Sequence, residues 1–431
     1  MGKEGMAMYK YTDYFEVYGR IMQFNKNKTE PFHRWYPFVE GYSREFIQSI
    51  IKENGKKELV CLEPFSGSGT TALELQNSGI ECFSFEVNPL MYLVARVKLE
   101  NRYTVERINE YLDFIYSYRT IIDVGDLKSE FKTLYQSDDK EKWNYNTEVA
   151  KAVQKLHCAI KNISDEVYRE LFTVALAAIL LDVSNLYRNG KCLSYKKGWK
   201  ERTLTETEVF AKFDQKVKNE LIVDIQKSLC QSQVDNKQKL FNMDSRIGID
   251  EKIADNSIDL VITSPPYLNS RDYTDTYMLE LKTLGFTQSN EEIRKLREQT
   301  LRSHVQIKWE DKACVDNRYL RSTLDNLEIA ARKTEMWNDS IIDMIRLYFV
   351  DMQNIFKTIY KKLKKGGTIY FNVSNSAYFN VLVNTLEICA SIAEGEGYTV
   401  KEIRKARNLK TSPQQKDSIR SLLEGVIILE K

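Results

Sequence analysis

The sequence predicts an α/β protein: a doubly wound, mostly parallel sheet interrupted by one large helical insertion. Three observations carry that expectation. Short apolar runs bounded by turn residues alternate with segments of helical spacing in both halves of the chain. The 431 residues include 18 glycines and 7 prolines, where usage of roughly 7% and 5% would give about 30 and about 22, so long stretches are continuous regular structure. No proline stands between Pro89 and Pro265, and the helical repeat fills that gap.

The elements follow in order. ELVCLE (58–63) and IECFSFE (80–86) are apolar enough to be buried strands, each followed by a helical pattern, at 70–78 and 88–99. INEYLDFIYSYRTIIDV and VYRELFTVALAAILLDVSNLY place apolar residues at helical spacing, so 101 to about 235 reads as a mostly helical insertion. KLFNMD (239–244) and SIDLVIT (257–263) resume the sheet, with a helix at 273–284. A second inserted segment runs from about 287 to 338, followed by a helix at 340–364 and the strand TIYFNV (368–373).

Composition excludes several classes. With 63 basic and 61 acidic residues the net charge is +2, which neither demands nor rules out a nucleic-acid partner. The longest apolar run, Leu171 to Leu181, is broken by Thr173 and is far shorter than the roughly 20 residues of a membrane span. MGKEGMAMYKYTDYF lacks the apolar core of a secretory signal, and the seven cysteines follow no metal or disulfide spacing. A soluble protein of a reducing cytoplasm, with no metal and no membrane partner, is expected.

Two turns carry the chemistry. The strand ELVCLE enters Pro64-Phe65-Ser66-Gly67-Ser68-Gly69-Thr70-Thr71 and then a helix. Two glycines one residue apart let the backbone turn sharply and let a ligand lie against it. The next strand ends at Glu86, beside Val87 and Asn88, where doubly wound folds bond ribose hydroxyls. Together these read as a nucleoside-cofactor site. Ala72 stands where a dinucleotide motif has its third glycine, and no Gly-Lys-Ser/Thr follows, so NAD and ATP are disfavoured.

The second turn is Ser264-Pro265-Pro266-Tyr267, at the carboxyl end of SIDLVIT. Adjacent prolines fix φ twice and remove two N–H donors, leaving a rigid acceptor site. The Ser264 hydroxyl and the Pro265 carbonyl can take the hydrogens of an amino group, with Tyr267 as a stacking surface.

The two turns resemble the cofactor and catalytic motifs of S-adenosylmethionine-dependent methyltransferases that modify the amino groups of DNA bases. The resemblance covers about 30–100, 238–285 and 340–431. His33-Arg34-Trp35-Tyr36-Pro37-Phe38 is similar to the segment that closes over the methionine end, and Asp244-Ser245-Arg246 to the strand end that bonds adenine. Leu363 to Thr368 and Glu424 to Ile428 are similar to a late turn and the terminal strand. The cofactor loop leads here, unlike the permutation common among cytosine enzymes.

This likeness implies a Rossmann-like methyltransferase core and S-adenosylmethionine as methyl donor, with S-adenosylhomocysteine as product. Ser264, Pro265, Pro266 and Tyr267 would be catalytic. His33, Tyr36, Pro64, Phe65, Ser66, Gly67, Gly69, Thr70, Thr71, Glu86, Val87, Asn88, Asp244 and Ser245 would hold the cofactor. Ser at the first position of the catalytic motif resembles the cytosine-N4 group, ahead of adenine-N6. Carbon-5 methylation needs a cysteine nucleophile, usually after proline, and no Pro-Cys pair occurs. Double-stranded DNA is the expected partner in a prokaryotic cytoplasm, with a restriction endonuclease as candidate companion. Methylation of RNA, or a silent nucleic-acid-binding relative, are the alternatives.

Nucleic-acid contacts are expected from RNGKCLSYKKGWKER (188–202), six basic residues and one acid with two aromatics interleaved, notably Lys196, Lys197, Trp199 and Lys200. Arg271 beside the catalytic turn, Arg404 and Arg407 near the C-terminus, and the stretch from Arg294 to Arg321 are further candidates. His157 reads as a core or surface histidine rather than a catalyst. The expected division is 1–100, N-terminal segment and first half of the core with the cofactor loop; 101–237, helical insertion and candidate target-recognition region; 238–286, core with the catalytic turn; 287–338, second insertion and candidate DNA contact; and 339–431, the rest of the core.

Overall fold

The computed structural model describes residues 9–39, 41–56, 58–190, 192–202, 204–227, 234–268, 272–333, 338, 340–411 and 419–431. Eight strands form the central sheet: β1 (Tyr11–Asp13), β2 (Val60–Glu63), β3 (Glu81–Phe85), β4 (Leu240–Phe241), β5 (Ile258–Thr263), β6 (Leu363–Ser374), β7 (Thr399–Lys410) and β8 (Ser421–Glu430). Their spatial order is β1-β7-β8-β6-β5-β2-β3-β4. Only β8 runs against its neighbours; every other pairing is parallel. The expected doubly wound, mostly parallel sheet is present.

Connectivity fixes where a ligand must go. From β2 the chain moves outward to β3 and β4, then returns to β5 on the other side of β2. Beyond the adjacent carboxyl ends of β2 and β5 the chain diverges, opening the crevice where doubly wound folds bind ligands. Both motif turns sit there, one after each strand.

Helices cover both faces of the sheet. Cys61, Cys82, Leu260 and Ile262 point to one side, under α1 (Arg44–Asn54), α2 (Thr70–Asn77) and α3 (Pro89–Leu99). Their neighbours Leu62 and Val261 point to the other, under later helices that include Ile341–Lys362 and Thr385–Gly395. This strict alternation over strands apolar on both faces is what a two-sided parallel sheet requires.

The insertion is not a detached globule. Its helices α4 (Val105–Arg119), α5 (Thr147–Lys161), α6 (Glu166–Val183) and α7 (Glu206–Lys216) share one apolar cluster with Leu90, Met91 and Val94 of α3 and with Trp35 and Tyr36. The helix α6 buries residues all round because it runs through the middle of that cluster. His157 lies in the same region, 5% exposed, and burial pushes its imidazole pKa down to about 4.

Three expectations about elements need adjustment. The strand expected over 239–244 is only the two residues of β4, because Asp244 turns to cap the helix α8 (Ser245–Lys252). A hairpin, Leu186–Asn189 paired with Cys192–Tyr195, breaks the helical insertion. Residues 404–410, whose Arg404 and Arg407 are expected as nucleic-acid contacts, belong to β7, an interior strand between β1 and β8.

Candidate active site

The two turns line one cavity of about 430 Å³. Gly67 and Gly69 both take positive φ, +52° and +80°. A Cβ on Gly67 would stand 2.9 Å from the Phe38 ring, and one on Gly69 only 2.8 Å from the Cβ of Ala95 on α3. The loop therefore needs glycine for its conformation and, at Gly69, for the approach of a helix. It is fixed by the Ser66 amide donating to Phe85 O at 2.8 Å, the Gly69 amide to Ser66 O at 2.9 Å, and the Lys98 ammonium to Ser68 O at 3.0 Å. Lys98 is fully buried there, and desolvation lowers its pKa to about 7.

These residues suit a nucleoside carrying an amino-acid tail. The Ser66 and Ser68 hydroxyls are buried with no protein partner. Buried hydroxyls on a cradle are expected to be satisfied by what the cradle holds. Glu86 accepts the Gly67 amide at 2.7 Å on one carboxylate oxygen and the Asn88 amide at 2.8 Å on the other. Each oxygen keeps a lone pair for a ribose hydroxyl. Burial raises this carboxyl to about pKa 7.

Glu63 joins the two turns. It is 1% exposed and accepts hydrogen bonds from Thr263 at 2.6 Å, Tyr42 at 2.7 Å, Thr71 at 2.9 Å and the Phe65 amide at 3.0 Å. One carboxylate thus ties the end of β5 to the loop after β2. Burial outweighs its four donors and raises its pKa to about 7.

At the Ser-Pro-Pro-Tyr turn, the Ser264 hydroxyl donates to Tyr267 Oη at 3.3 Å, and the Tyr267 hydroxyl donates to Glu424 at 2.6 Å. Asn372 Nδ2 donates to Tyr267 Oη at 2.7 Å, and Arg407 Nε pairs with the other oxygen of Glu424. Burial and the Glu424 charge hold the Tyr267 phenol well above its usual pKa. The Tyr267 amide is anchored on Tyr273 Oη at 3.1 Å.

Most sequence-predicted residues converge. Pro64, Phe65, Ser66, Gly67, Thr70, Thr71, Glu86, Val87, Asn88, Asp244, Ser245, Ser264, Pro265, Pro266 and Tyr267 line the cavity, and Gly69 supports the loop from behind. Asp244 also receives the Arg246 guanidinium, which Asp351 holds from the far side.

Five expectations are corrected or displaced. His33 is 1% exposed and bonds Glu74 at 2.9 Å, and Tyr36 is buried on Glu280 at 3.0 Å, so neither lines the cavity. Their segment is pinned to the insertion by Asp224, which takes the Phe32 amide, the Arg34 guanidinium and the Trp35 indole N–H. From that segment Phe38 faces the cavity instead. Lys196 spends its three donors on the carbonyls of Leu181, Asp182 and Ser184, closing the end of α6 rather than awaiting a phosphate. Arg404 is 5% exposed and grips Glu53 with both terminal nitrogens. Arg407 lines the cavity but is committed to Glu424.

Lys197 and Lys200 are exposed, and Trp199 packs edge-on against Trp143 at 4.9 Å. Arg271 lies outside the described residues. In the stretch from Arg294 to Arg321, Arg297 pairs with Asp272 and Asp275 and Arg302 with Asp351, while Gln299, Thr300, Leu301 and Ser303 reach the cavity. Sequence reasoning missed those four together with Glu63, Asn372 and Glu424. Glu63 alone had a local signal, as the last residue of the strand that feeds the loop.

Sheet order, switch-point cavity and paired turns together define a Rossmann-like methyltransferase fold. The likeness extends along the chain. It is 26% identical over 439 residues to the Type II methyltransferase M.BsoBI of Geobacillus stearothermophilus, covering 92% of this chain and 84% of that protein. It is 25% identical over 419 residues to the Type II methyltransferase M.AvaI of Anabaena variabilis, covering 89% and 82%. Against the Type II methyltransferase M.MvaI of Kocuria varians it is 26% identical over 255 residues, 57% of this chain and 55% of that protein. No protein-family model matches the chain. Among the described residues no helix is long and apolar enough to cross a membrane.

Proposed function

We propose that this protein transfers a methyl group from S-adenosylmethionine to the exocyclic amine of a base flipped out of duplex DNA, as the modification partner of a restriction endonuclease. Cytosine N4 is placed ahead of adenine N6, on the serine that opens the catalytic turn. The observation that carries the reading is the single cavity shared by the Gly-rich loop and the Ser-Pro-Pro-Tyr turn. The names of its relatives, all Type II methyltransferases, support it.

An exocyclic amine is a weak nucleophile because its lone pair is delocalised into the ring. Ser264 Oγ and the Pro265 carbonyl would accept its two hydrogens, favouring a pyramidal nitrogen with the lone pair aimed across the cavity. Positioning and preorganised acceptors supply most of the assistance. S-Adenosylmethionine would supply an electrophilic methyl, with Glu86 to hold its ribose and Ser66 and Ser68 to hold its amino-acid tail. Extruding the base costs a few kcal/mol. Stacking on the Tyr267 ring, about 1–3 kcal/mol, is of the size needed to offset it.

No cysteine among the described residues lines the cavity, and Cys61 and Cys82 are buried, the latter pushed up to about pKa 12 by desolvation. That distribution favours amine over carbon-5 chemistry. In this reading the insertion over 101–237 and the segment 287–338 grip DNA around the target, with Lys197 and Lys200 exposed and Trp199 half-buried between them.

The test is incubation with methyl-labelled S-adenosylmethionine and either duplex DNA or structured RNA, followed by digestion to nucleosides. Label in a DNA nucleoside is expected. Label in RNA alone would replace the substrate, and none in either would sink the proposal.

A further inference from the structure

We propose that Glu424 is the end of a proton path that starts at the target amine and runs through the hydroxyls of Ser264 and Tyr267. This inference rests on the methyltransferase reading above and adds a residue to which neither motif points.

The geometry has a direction. Ser264 Oγ–H donates to Tyr267 Oη at 3.3 Å, and Tyr267 Oη–H donates to Glu424 Oε1 at 2.6 Å. With its hydrogen turned inward, the Ser264 oxygen presents lone-pair density to the cavity, as an acceptor of amine hydrogens must. Asn372 Nδ2 braces the chain from the side, 2.7 Å from Tyr267 Oη, 3.3 Å from Glu424 Oε1 and 3.4 Å from Ser264 Oγ. Asn372 is 2% exposed and Glu424 1%. A buried carboxylate needs a counter-charge, and Arg407 provides it on the second oxygen, which leaves Oε1 for Tyr267.

Placement argues against a merely structural pair. Glu424 and Asn372 come from β8 and β6 and meet the catalytic turn across 157 and 105 positions of sequence. All four side chains, with Arg407, line the same cavity. Chains of hydrogen bonds ending on a charge polarise one another, so the carboxylate strengthens Ser264 as an acceptor.

The step balances without another reagent. The amine lone pair forms the N–CH3 bond while the S–CH3 bond breaks and its electron pair stays on sulfur. The nitrogen, now positive, gives one proton to Ser264 Oγ as the serine proton moves to Tyr267 Oη and the tyrosine proton to Glu424 Oε1. Exchange with water then restores the carboxylate. Glu424 touches neither base nor cofactor; it is a positioning residue and proton acceptor acting through Tyr267.

Three variants test this: Glu424→Gln, which keeps shape and removes the charge; Tyr267→Phe, which keeps the stacking ring and removes the link; and the double variant. For each, cofactor affinity is measured by calorimetry, extrusion of the base by 2-aminopurine fluorescence at the target position, and methyl transfer by single-turnover labelling of duplex DNA at saturating cofactor. Cofactor affinity and extrusion should stay within a few-fold of the parent. The single-turnover rate should fall roughly 100-fold in each single variant, the scale of general acid–base assistance. The double variant should fall no further. Parental rates in either single variant, or multiplicative losses in the double, would overturn the path while leaving the methyltransferase reading intact. A parent that labels no DNA amine would overturn both.

Discussion

Replacing Glu86 should weaken cofactor binding without unfolding the protein. Its two carboxylate oxygens accept the amides of Gly67 and Asn88 at 2.7 and 2.8 Å, and each has one lone pair left for a ribose hydroxyl. A hydrogen bond to a charged group is worth about 1.5–3 kcal/mol, so two would be worth about 3–6 kcal/mol before losses. Water refilling the vacated site offsets part of this. The lower end, about 3 kcal/mol, makes Glu86→Ala about 100-fold weaker, and Glu86→Gln, which keeps an acceptor but loses the charge, about 10-fold. Because burial lifts this carboxyl to about pKa 7, the sign of the pH effect is fixed. The hydroxyls donate to the ionised form, so affinity is full above about pH 7, falls as pH drops through it, and binding near pH 6.5 releases a proton. Glu86→Gln should show neither effect. Calorimetry in buffers of different ionisation enthalpy reads both quantities. Unchanged affinity in Glu86→Ala, or tighter parental binding on acidification, would refute the ribose assignment.

Three further outcomes are expected. Gly69→Ala forces a side chain into positive φ and onto Ala95, and should lower stability by about 3 kcal/mol, read as a shift of the urea midpoint at constant slope. Arg404→Ala removes a buried guanidinium whose partner Glu53 is 42% exposed, so the loss should be about 2 kcal/mol, with DNA affinity and its salt slope unchanged. Lys197→Ala and Lys200→Ala should each reduce the slope of log affinity against log salt by about 1, whereas Lys196→Ala should leave the slope alone and lower the melting temperature.

What was legible in the sequence is what is encoded locally. The Gly-rich turn, the paired prolines and the strand-end Glu86 announce themselves because backbone conformation and strand position depend on neighbouring residues. The same holds for the alternation of β2, β3 and β5 with their helices. The misread positions share a different trait. His33, Tyr36, Lys196 and Arg404 are polar or aromatic residues in site-like company, yet each is already engaged: His33, Tyr36 and Arg404 by Glu74, Glu280 and Glu53, far away in sequence, and Lys196 by the carbonyls at the end of α6, 12 to 15 positions back. No local pattern shows that a charge is already taken. The same blindness hid Asn372 and Glu424, which reach Tyr267 from strands more than a hundred positions later.

Strand boundaries failed for a related reason. The expected strand at 239–244 is apolar enough to pass, but Asp244 accepts the Arg246 amide at 2.9 Å and starts a helix, ending β4 after two residues. The strand β7 carries Arg404, Lys405 and Arg407 and reads as a charged tail; pairing with β1 and β8 on both sides makes it interior.

The most direct measurement is the identity of the modified base. DNA from a methylation-deficient host expressing the protein should yield N4-methylcytosine on nucleoside mass spectrometry, and DNA from the same host expressing Ser264→Ala should lose most of it. N6-methyladenine would move the target while keeping the amine chemistry. 5-Methylcytosine, or no modified base at all, would contradict the account of Ser264 and Pro265 as acceptors of an exocyclic amine.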